Sequence, residues 1–418
     1  MIRHTVLATA LTSLFVASTP ACAADDKELA AIRDQIRQMK ESYEARLAAL
    51  EQRLQDAQAA PAPAPVAAAP ATSNAFNPNI SLVLGGTYAN LSQDPANYRL
   101  QGFVPAGGET GPGKRSFSLG ESELTFAANI DPMFSGQLTF SLTGEDTVGV
   151  EEAYIQTRAL ASGVNVKFGR FLSGTGYLNG QHAHAWDFVD APLAYQAFLG
   201  GQFKPDGLQA KWLAPTDTFV EIGMETGRAQ SKNGVGSTAV FAHVGDDIGD
   251  SGSWRAGLSY QHTASATREF DSSAFTGNAR LWIADAIYKW APNGNSTHTN
   301  FKLQGEYFRR NEGGLLDAAA YDSRQSGWYV QGVYQFMPMW RAGLRYDRLS
   351  SGTQTPNALA LLDAYAPAKT SVMLDYSPSE FSRLRLQLAR DQSRPRVTDN
   401  QLFLQYIMSL GTHAAHSF

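Results

Sequence analysis

The stretch SPSEFSRLRLQL, residues 377–388, contains a short turn at Pro378 followed by a strict alternation of polar and apolar side chains. Successive side chains of a β-strand point to opposite faces, so Leu384, Leu386 and Leu388 share one face. Arginines and a glutamine share the other face. One apolar and one polar face is typical of a strand in a barrel whose outside meets lipid and whose interior is polar.

The same alternation recurs throughout residues 76–418, for example in WRAGLRY at residues 340–346. We predict sixteen strands, which begin near residues 79, 117, 134, 148, 164, 206, 218, 237, 253, 280, 300, 327, 339, 369, 381 and 401. Short turns are predicted at residues 131–132, 214–217, 337–338 and 377–379, and long connections at about residues 91–115, 172–205, 263–279, 310–326 and 350–368. The connections near residues 144–149 and 291–299 depart from this rule. Short turns that alternate with long connections indicate two different rims, so the sequence predicts an all-β fold, a transmembrane antiparallel β-barrel.

A soluble sandwich or propeller is the alternative, but it would bury its apolar faces and needs no alternation of short and long connections. Aromatic residues also lie near the predicted strand ends, as in the girdles of membrane barrels. They are Phe134, Phe171, Phe219, Trp290, Phe336, Trp340, Tyr376 and Phe381. The chain has 34 Lys and Arg against 39 Asp and Glu, a net charge of −5, which does not favour a nucleic-acid partner.

Residues 1–23 have the pattern of a signal peptide, with basic Arg3, an apolar stretch over residues 6–17 and an A-x-A cleavage site at residues 21–23. A lipid anchor on Cys22 is the alternative, although residues 19–21 form a poor lipobox. Cys22 is the one cysteine of the chain, so the mature protein would use neither disulfides nor thiolate chemistry.

Residues 25–58 have apolar side chains spaced three and four apart, which is the seam of a coiled coil. The seam begins with Leu29, Ile32, Ile36, Met39 and Tyr43 and then slips by one residue. An amphipathic surface helix is the alternative, but a polar helix of this length is marginal by itself. We therefore predict a periplasmic coiled coil that self-associates through residues 29–54, joined to the barrel by a Pro/Ala linker over residues 59–75.

This arrangement resembles the phosphate-selective porin O and P family of outer-membrane channels. The similar stretches are SFSLGESELTFAANIDPMFSGQLTFSL at residues 116–142, VEEAYIQT at residues 150–157 and VKFGRFLSGTGYLN at residues 166–179. The resemblance implies a homotrimer, assembled through an N-terminal helix trimer, in the outer membrane of a Gram-negative bacterium.

QHAHAWDFVDAPLAYQAFLGGQF, residues 181–203, is also similar to outer-membrane proteins often labelled zinc-regulated or TonB-dependent receptors. A receptor of that kind needs a plug domain and a barrel of about 22 strands. The 343 residues from 76 to 418 cannot supply both.

The polar phase of the strands predicts which charged side chains line the lumen. The basic candidates are Lys167, Lys211, Arg255, Lys302, Arg341, Arg345, Arg383 and Arg385. The acidic ones are Glu121, Glu123, Glu221, Glu225, Asp285, Glu306 and Asp347. Anion pores present rings of Lys and Arg, so a nearly balanced lumen argues against strict phosphate selectivity. The arginines at 341, 345, 383 and 385 would form either one cationic stripe or pairs neutralised by carboxylates.

Borderline ligands for zinc occur within the long connection at residues 172–205, namely His182, His184, Asp187 and Asp190. Solvated or structural histidines are the alternative, and no cofactor is otherwise predicted. His413 and His416 near the C-terminus would point to opposite faces of a strand. The same connection either caps the barrel outside or folds inward to narrow the lumen.

The predicted function is passive diffusion of small solutes or ions, including anions such as phosphate, through an outer-membrane barrel in contact with lipid. The alternative is a zinc-linked protein for metal uptake or binding. No G-x-S-x-G elbow or comparable nucleophile arrangement occurs in the sequence, so catalysis is not predicted.

Overall fold

The computed structural model describes Arg37, Lys40 and residues 78–107, 110–142, 147–158, 160–228, 235–270, 273–355 and 362–411. The predicted signal peptide, the linker, the C-terminal histidines and all of the coiled coil except two exposed helical residues lie outside these described residues. The chain divides into the units Met1–Ser73 and Asn74–Phe418, of which the second contains every strand described below.

Within the described residues, the second unit contains seventeen strand segments and one short α-helix that is described over its full length. The strands are β1 (Asn79–Leu91), β2 (Ser116–Leu119), β3 (Ser122–Asn129), β4 (Phe134–Leu142), β5 (Val148–Thr157), β6 (Val164–Arg170), β7 (Asp206–Leu213), β8 (Phe219–Arg228), β9 (Val235–Ile248), β10 (Gly252–Phe270), β11 (Ser273–Trp290), β12 (Asn300–Leu316), β13 (Ala319–Met337), β14 (Trp340–Gln354), β15 (Ala368–Ser379), β16 (Ser382–Arg394) and β17 (Val397–Gly411). The α-helix is α1 (Leu193–Leu199), and single 3-10 turns lie at Pro95–Asn97, Ala161–Gly163, Ala183–Ala185 and Pro292–Gly294. None of the described helices is long and apolar enough to cross a membrane.

The sheet closes on itself. Apart from β2 and β3, which do not pair with each other, each strand is antiparallel to its sequence neighbours, and β1 also pairs with β17 from Ser81↔Gly411 to Leu91↔Gln401. Both β2 and β3 pair with β1, so they are two parts of one strand that is interrupted at Gly120 and Glu121. The segments therefore form a closed 16-strand antiparallel barrel, which confirms the predicted strand number and leaves no open edge.

The outer surface of the barrel is apolar. Leu258, Leu344 and Val372 are about half exposed, as expected for side chains that point away from a barrel wall. Aromatic pairs on adjacent strands border this surface. They are Tyr260–Trp282 (ring centroids 4.7 Å apart), Trp328–Tyr346 (5.5 Å) and Trp340–Tyr376 (4.7 Å). An exposed apolar surface with aromatic borders is stable in lipid rather than in water.

Two details of the predicted wall are wrong. Residues 263–279 and 310–326 are mostly strand, since β10 runs to Phe270 and β13 begins at Ala319. Several outward side chains there are polar, for example the exposed Asp322 and Arg324, so the alternation typical of a lipid-facing strand is interrupted. Phe171 was expected at a strand end facing the interface, but it is fully buried.

Candidate functional site

The connection between β6 and β7, residues 171–205, enters the barrel, and we call it the lumen loop. Its main-chain N–H groups reach inward carboxylates on three strands: Leu172 donates to Glu152 (3.0 Å) on β5, Gly174 to Glu225 (2.8 Å) on β8, and Leu193 to Asp347 (3.0 Å) on β14. A segment outside the barrel could not contact inward side chains on opposite walls. The predicted alternative of an external cap is therefore wrong.

Apolar packing holds the lumen loop against β11–β14. All seven residues of α1 are buried, and Phe198 stacks on Phe308 with ring centroids 5.9 Å apart. The inward positions of these strands carry Ile283, Tyr329 and Leu349 rather than polar residues, and all three are buried in the same cluster. Burial of each large side chain contributes about 1.5–3 kcal/mol, which explains why the loop stays inside.

Glu306 on β12 anchors the loop by hydrogen bonds. Its carboxylate accepts the hydroxyl of Tyr195 at 2.9 Å and the backbone N–H groups of Tyr177 at 3.1 Å and Leu178 at 3.0 Å. Gly176 lies beside this carboxylate with φ +73°, and a Cβ there would lie 2.5 Å from Glu306 Oε2. The close approach requires glycine at this position.

Two carboxylates of the loop meet the cationic wall of β12 and β14–β15. Asp187 lies 2.5 Å from Lys302 Nζ and 3.2 Å from Arg341 Nη1. Asp190 lies 2.8 Å from Lys369 Nζ and 3.0 Å from Arg345 Nη2 on β14. Burial alone would raise the pKa of both carboxyl groups, but the neighbouring cations hold the pKa of each well below its usual value. The structure therefore places both residues in ion pairs with basic side chains of the wall.

Most of the predicted arginine stripe is neutralised. Arg345 lies 3.0 Å from Asp347, and Arg385 lies 2.9 Å from Asp375. Arg383 differs, because its guanidinium donates to the backbone oxygen of Trp186 at 3.3 Å and forms no ion pair with a carboxylate of the described ranges. Within the stripe, Arg383 is the cation left without an anionic partner among those residues.

The other predicted lumen cations also point inward. Lys167 lies over the ring of Tyr154 at 4.0 Å, and Lys211 pairs with Glu221 at 2.7 Å. Arg255 lies 3.4 Å from the carboxylate of Asp285. Lys167 and Lys211, on β6 and β7, are thus separated along the wall from the stripe on β14 and β16.

A cavity of about 750 Å³ lies between the lumen loop and the rim that carries the short turns. Four cations line it, namely Lys289, Lys302, Arg341 and Arg383, together with the carboxylates of Asp187 and Glu380. Lys289 is not among the predicted lumen cations, although it is in phase with the inward-facing Asp285 on β11 and that phase identifies it.

His182 and His184 come together against β3 and β5, with ring centroids 5.5 Å apart. Glu123 bridges them, since its two oxygens lie 2.9 Å from Nδ1 of each ring. Burial by itself would lower the pKa of His182, but the adjacent carboxylates of Glu123, Glu151 and Glu152 raise that pKa well above its usual value. The structure thus brings the two histidines together, and the carboxylates around them are those of glutamates rather than of the predicted Asp187 and Asp190.

A closed 16-strand barrel with a lipid-facing outer surface, a polar lumen and an internal loop is the fold of outer-membrane porins. The structure is similar to OmpT of Vibrio cholerae in its trimer form (TM-score 0.53, 10% identity, covering 80% of this chain and 99% of that one). It is similar to an anion-selective porin from Comamonas acidovorans (TM-score 0.53, 10% identity, covering 80% of this chain and 99% of that one). It is also similar to OprB of Pseudomonas putida (TM-score 0.52, 13% identity, covering 81% of this chain and 96% of that one). At these identities the likeness shows the fold, and it agrees with the predicted porin class.

The sequence places the chain in a family. It is 30% identical over 396 residues to a protein of Aquifex aeolicus (strain VF5) described as uncharacterized, covering 84% of this chain and 81% of the relative. The chain belongs to the same family as that protein. No family model matches the sequence, so membership in the phosphate-selective porin O and P family stays a prediction.

Proposed function

We propose that the protein is a passive channel of the Gram-negative outer membrane and that it passes small anions in preference to cations. The observation that carries this proposal is the cavity beside the lumen loop, where four cations face two carboxylates. A cleft with low-dielectric walls and an excess of one charge concentrates counter-ions. Lys and Arg that line a pore favour anions in the same way.

Arg383 is central to the expected selectivity. Its neighbours Lys302 and Arg341 are held by Asp187, whereas Arg383 contacts only a backbone carbonyl among its hydrogen-bond partners in the described chain. The paired charges elsewhere in the lumen weaken the field, so we expect modest selectivity for anions as a class. Phosphate would be one permeant anion, not the exclusive one. One structural neighbour is itself an anion-selective porin, which supports the same proposal.

The assembly proposed for this channel is a homotrimer held by the coiled coil over residues 29–54 in the periplasm. OmpT, which shares the fold, has a trimer form, and this supports the same assembly here. Transport through the lumen requires no chemical step, and we propose no enzymatic activity.

The test is the reversal potential of the purified full chain in planar bilayers under a tenfold gradient of potassium chloride, and then of potassium phosphate. We expect a potential of the sign that indicates anion preference, and Arg383→Ala should move it toward zero. Arg390→Ala is the matched control, because Arg390 lies on the same strand and is exposed on the outside of the wall. Absence of conductance would refute the channel, and an unchanged potential in Arg383→Ala would refute the role of that arginine.

A further inference from the structure

Four glutamates and two histidines meet where the lumen loop contacts the first strands of the barrel. Glu121 and Glu123 come from the β2–β3 wall, and the remaining glutamates are neighbours on β5. They are Glu151 and Glu152, which are 1% and 5% exposed. The loop contributes His182 and His184. None of these groups belongs to the cationic cavity except His184, which lies at its border.

A β-bulge turns both neighbouring glutamates into the lumen. In a regular strand, adjacent side chains point to opposite faces, so one of the two would face lipid. The register between β4 and β5 shifts between the pairs Thr139↔Glu152 and Phe140↔Val150. Glu151 therefore has no paired residue on β4 and is the extra residue of the bulge. Bulges commonly redirect a side chain toward a functional site. The wall thus departs from regular geometry in a way that adds one more inward carboxylate.

The cluster carries more negative charge than its neighbours balance. Lys204 Nζ lies 3.2 Å from Glu151, and Lys167 is the other nearby lysine. Buried carboxylates without matching cations are costly. Several polar atoms also lack hydrogen bonds although they are buried. They are Oε2 of Glu121, Oε2 of Glu151 and Nδ1 of His182. Buried polar atoms nearly always have a hydrogen-bond or metal partner. A cation bound between these three atoms would supply the partner that they lack.

The spacing of the atoms fits a metal ion. His182 Nδ1 lies 2.9 Å from one Glu123 oxygen and 3.4 Å from Glu151 Oε2, yet neither contact has hydrogen-bond geometry at that nitrogen. One ligand atom from each of Glu123, His182 and His184 lies within 4.8 Å of the others. Tetrahedral zinc with bonds of about 2.0–2.2 Å holds its ligand atoms about 3.3–3.6 Å apart. Imidazole nitrogens combined with carboxylate oxygens suit zinc among the divalent ions.

We infer that Glu123, His182 and His184, with a carboxylate oxygen of Glu151, bind one divalent transition-metal ion of the Zn²⁺ class. The ion joins the lumen loop to the β3–β5 wall, on the side of the barrel opposite the α1 packing. It neutralises two of the buried carboxylates, those of Glu123 and Glu151, and satisfies Nδ1 of His182 and Oε2 of Glu151. Protonated His182 is the competing explanation for the same contacts, and the experiment below separates the two.

The experiment measures zinc bound to the untagged full chain in detergent, after removal of metal with a chelator and equilibration with Zn²⁺ alone. We expect one tightly bound zinc per chain by elemental analysis and by calorimetric titration. His184→Ala and Glu123→Gln should each weaken zinc binding more than about tenfold, since loss even of an outer-shell partner costs that much.

Two matched controls address other histidines. His243 is also buried in the lumen and lies 3.1 Å from Glu221, so His243→Ala removes a comparable histidine outside the cluster. It should leave zinc affinity unchanged. Replacement of His413 and His416 by Ala should do the same.

Zinc X-ray absorption on the unaltered chain provides a test that needs no variant, and we expect two imidazole ligands. Absence of a bound zinc in folded protein, a spectrum without imidazole ligands, or equal loss of binding in His243→Ala would each overturn the inference. Heat-modifiable migration in gels verifies that every sample is folded. Because zinc binding is measured without conductance, a channel that conducts but binds no zinc refutes this inference and leaves the proposed function intact.

Discussion

Asp190→Asn is the sharpest test of how the lumen loop is held. The carboxylate of Asp190 accepts hydrogen bonds from Arg345 Nη2 at 3.0 Å and Gln387 Nε2 at 2.7 Å, and it forms an ion pair with Lys369 Nζ at 2.8 Å. Asparagine keeps the size of the side chain but removes its charge. Neither cation becomes isolated in this variant. Lys369 still lies 3.4 Å from the carboxylate of Asp391, and Arg345 still lies 3.0 Å from that of Asp347.

The expected cost follows from the contacts of the Asp190 carboxylate with two cations, Arg345 and Lys369. A hydrogen bond to a charged group contributes about 1.5–3 kcal/mol and a neutral one about 0.5–1.5 kcal/mol, so the change loses about 1–1.5 kcal/mol at each of two cations. The free energy that favours the docked position of the lumen loop then falls by about 2–3 kcal/mol. At about 1.4 kcal/mol per factor of ten, the undocked population rises about 30- to 150-fold.

Limited proteolysis with chymotrypsin measures that population, because the loop contains Tyr177, Trp186, Phe188, Tyr195 and Phe198. When opening and closing are faster than cleavage, the cleavage rate follows the undocked fraction. We expect cleavage within residues 171–205 to accelerate by the factor given above, as followed by mass spectrometry. The control Asp322→Asn changes an exposed carboxylate on the outside of β13 and should have no effect. An acceleration below threefold in Asp190→Asn would show that these ion pairs do not hold the loop.

Three further outcomes are expected. Deletion of residues 25–58 should convert a trimer to monomers with an intact barrel, and a persistent trimer in native mass spectrometry would contradict the role of the coiled coil. Leu344→Arg places a charge on the lipid-facing surface between Trp340 and Tyr346, and should cost about 2–4 kcal/mol of folding free energy in urea titrations in lipid vesicles. Gly223→Val should reduce the fraction that reaches the heat-modifiable state, because a Cβ at Gly223 would lie 2.0 Å from the ring of Phe241; full yield would show that the wall can relax there.

The strands were predictable because alternation is a local signal that repeats every two residues. WRAGLRY at residues 340–346 defines its lipid face without reference to any other part of the chain, and the structure agrees. The prediction failed near residues 263–279 and 310–326 because the strands there leave the lipid. Once the outward face carries exposed polar side chains, as at Asp322 and Arg324, an apolar outward phase is no longer required and the alternation no longer marks the strand.

The site was predictable only in part. The polar phase identified the inward cations, but it did not show that Arg345 pairs with Asp190, which lies 155 positions earlier in the chain. Glu151 was overlooked because a bulge, which breaks the period of two, turns it inward. Local sequence is thus sufficient for the barrel and its lipid face, since each strand carries its own alternation. Only the folded chain decides which charges stay available in the lumen and which are cancelled, because that depends on where residues 171–205 dock against strands far away in sequence.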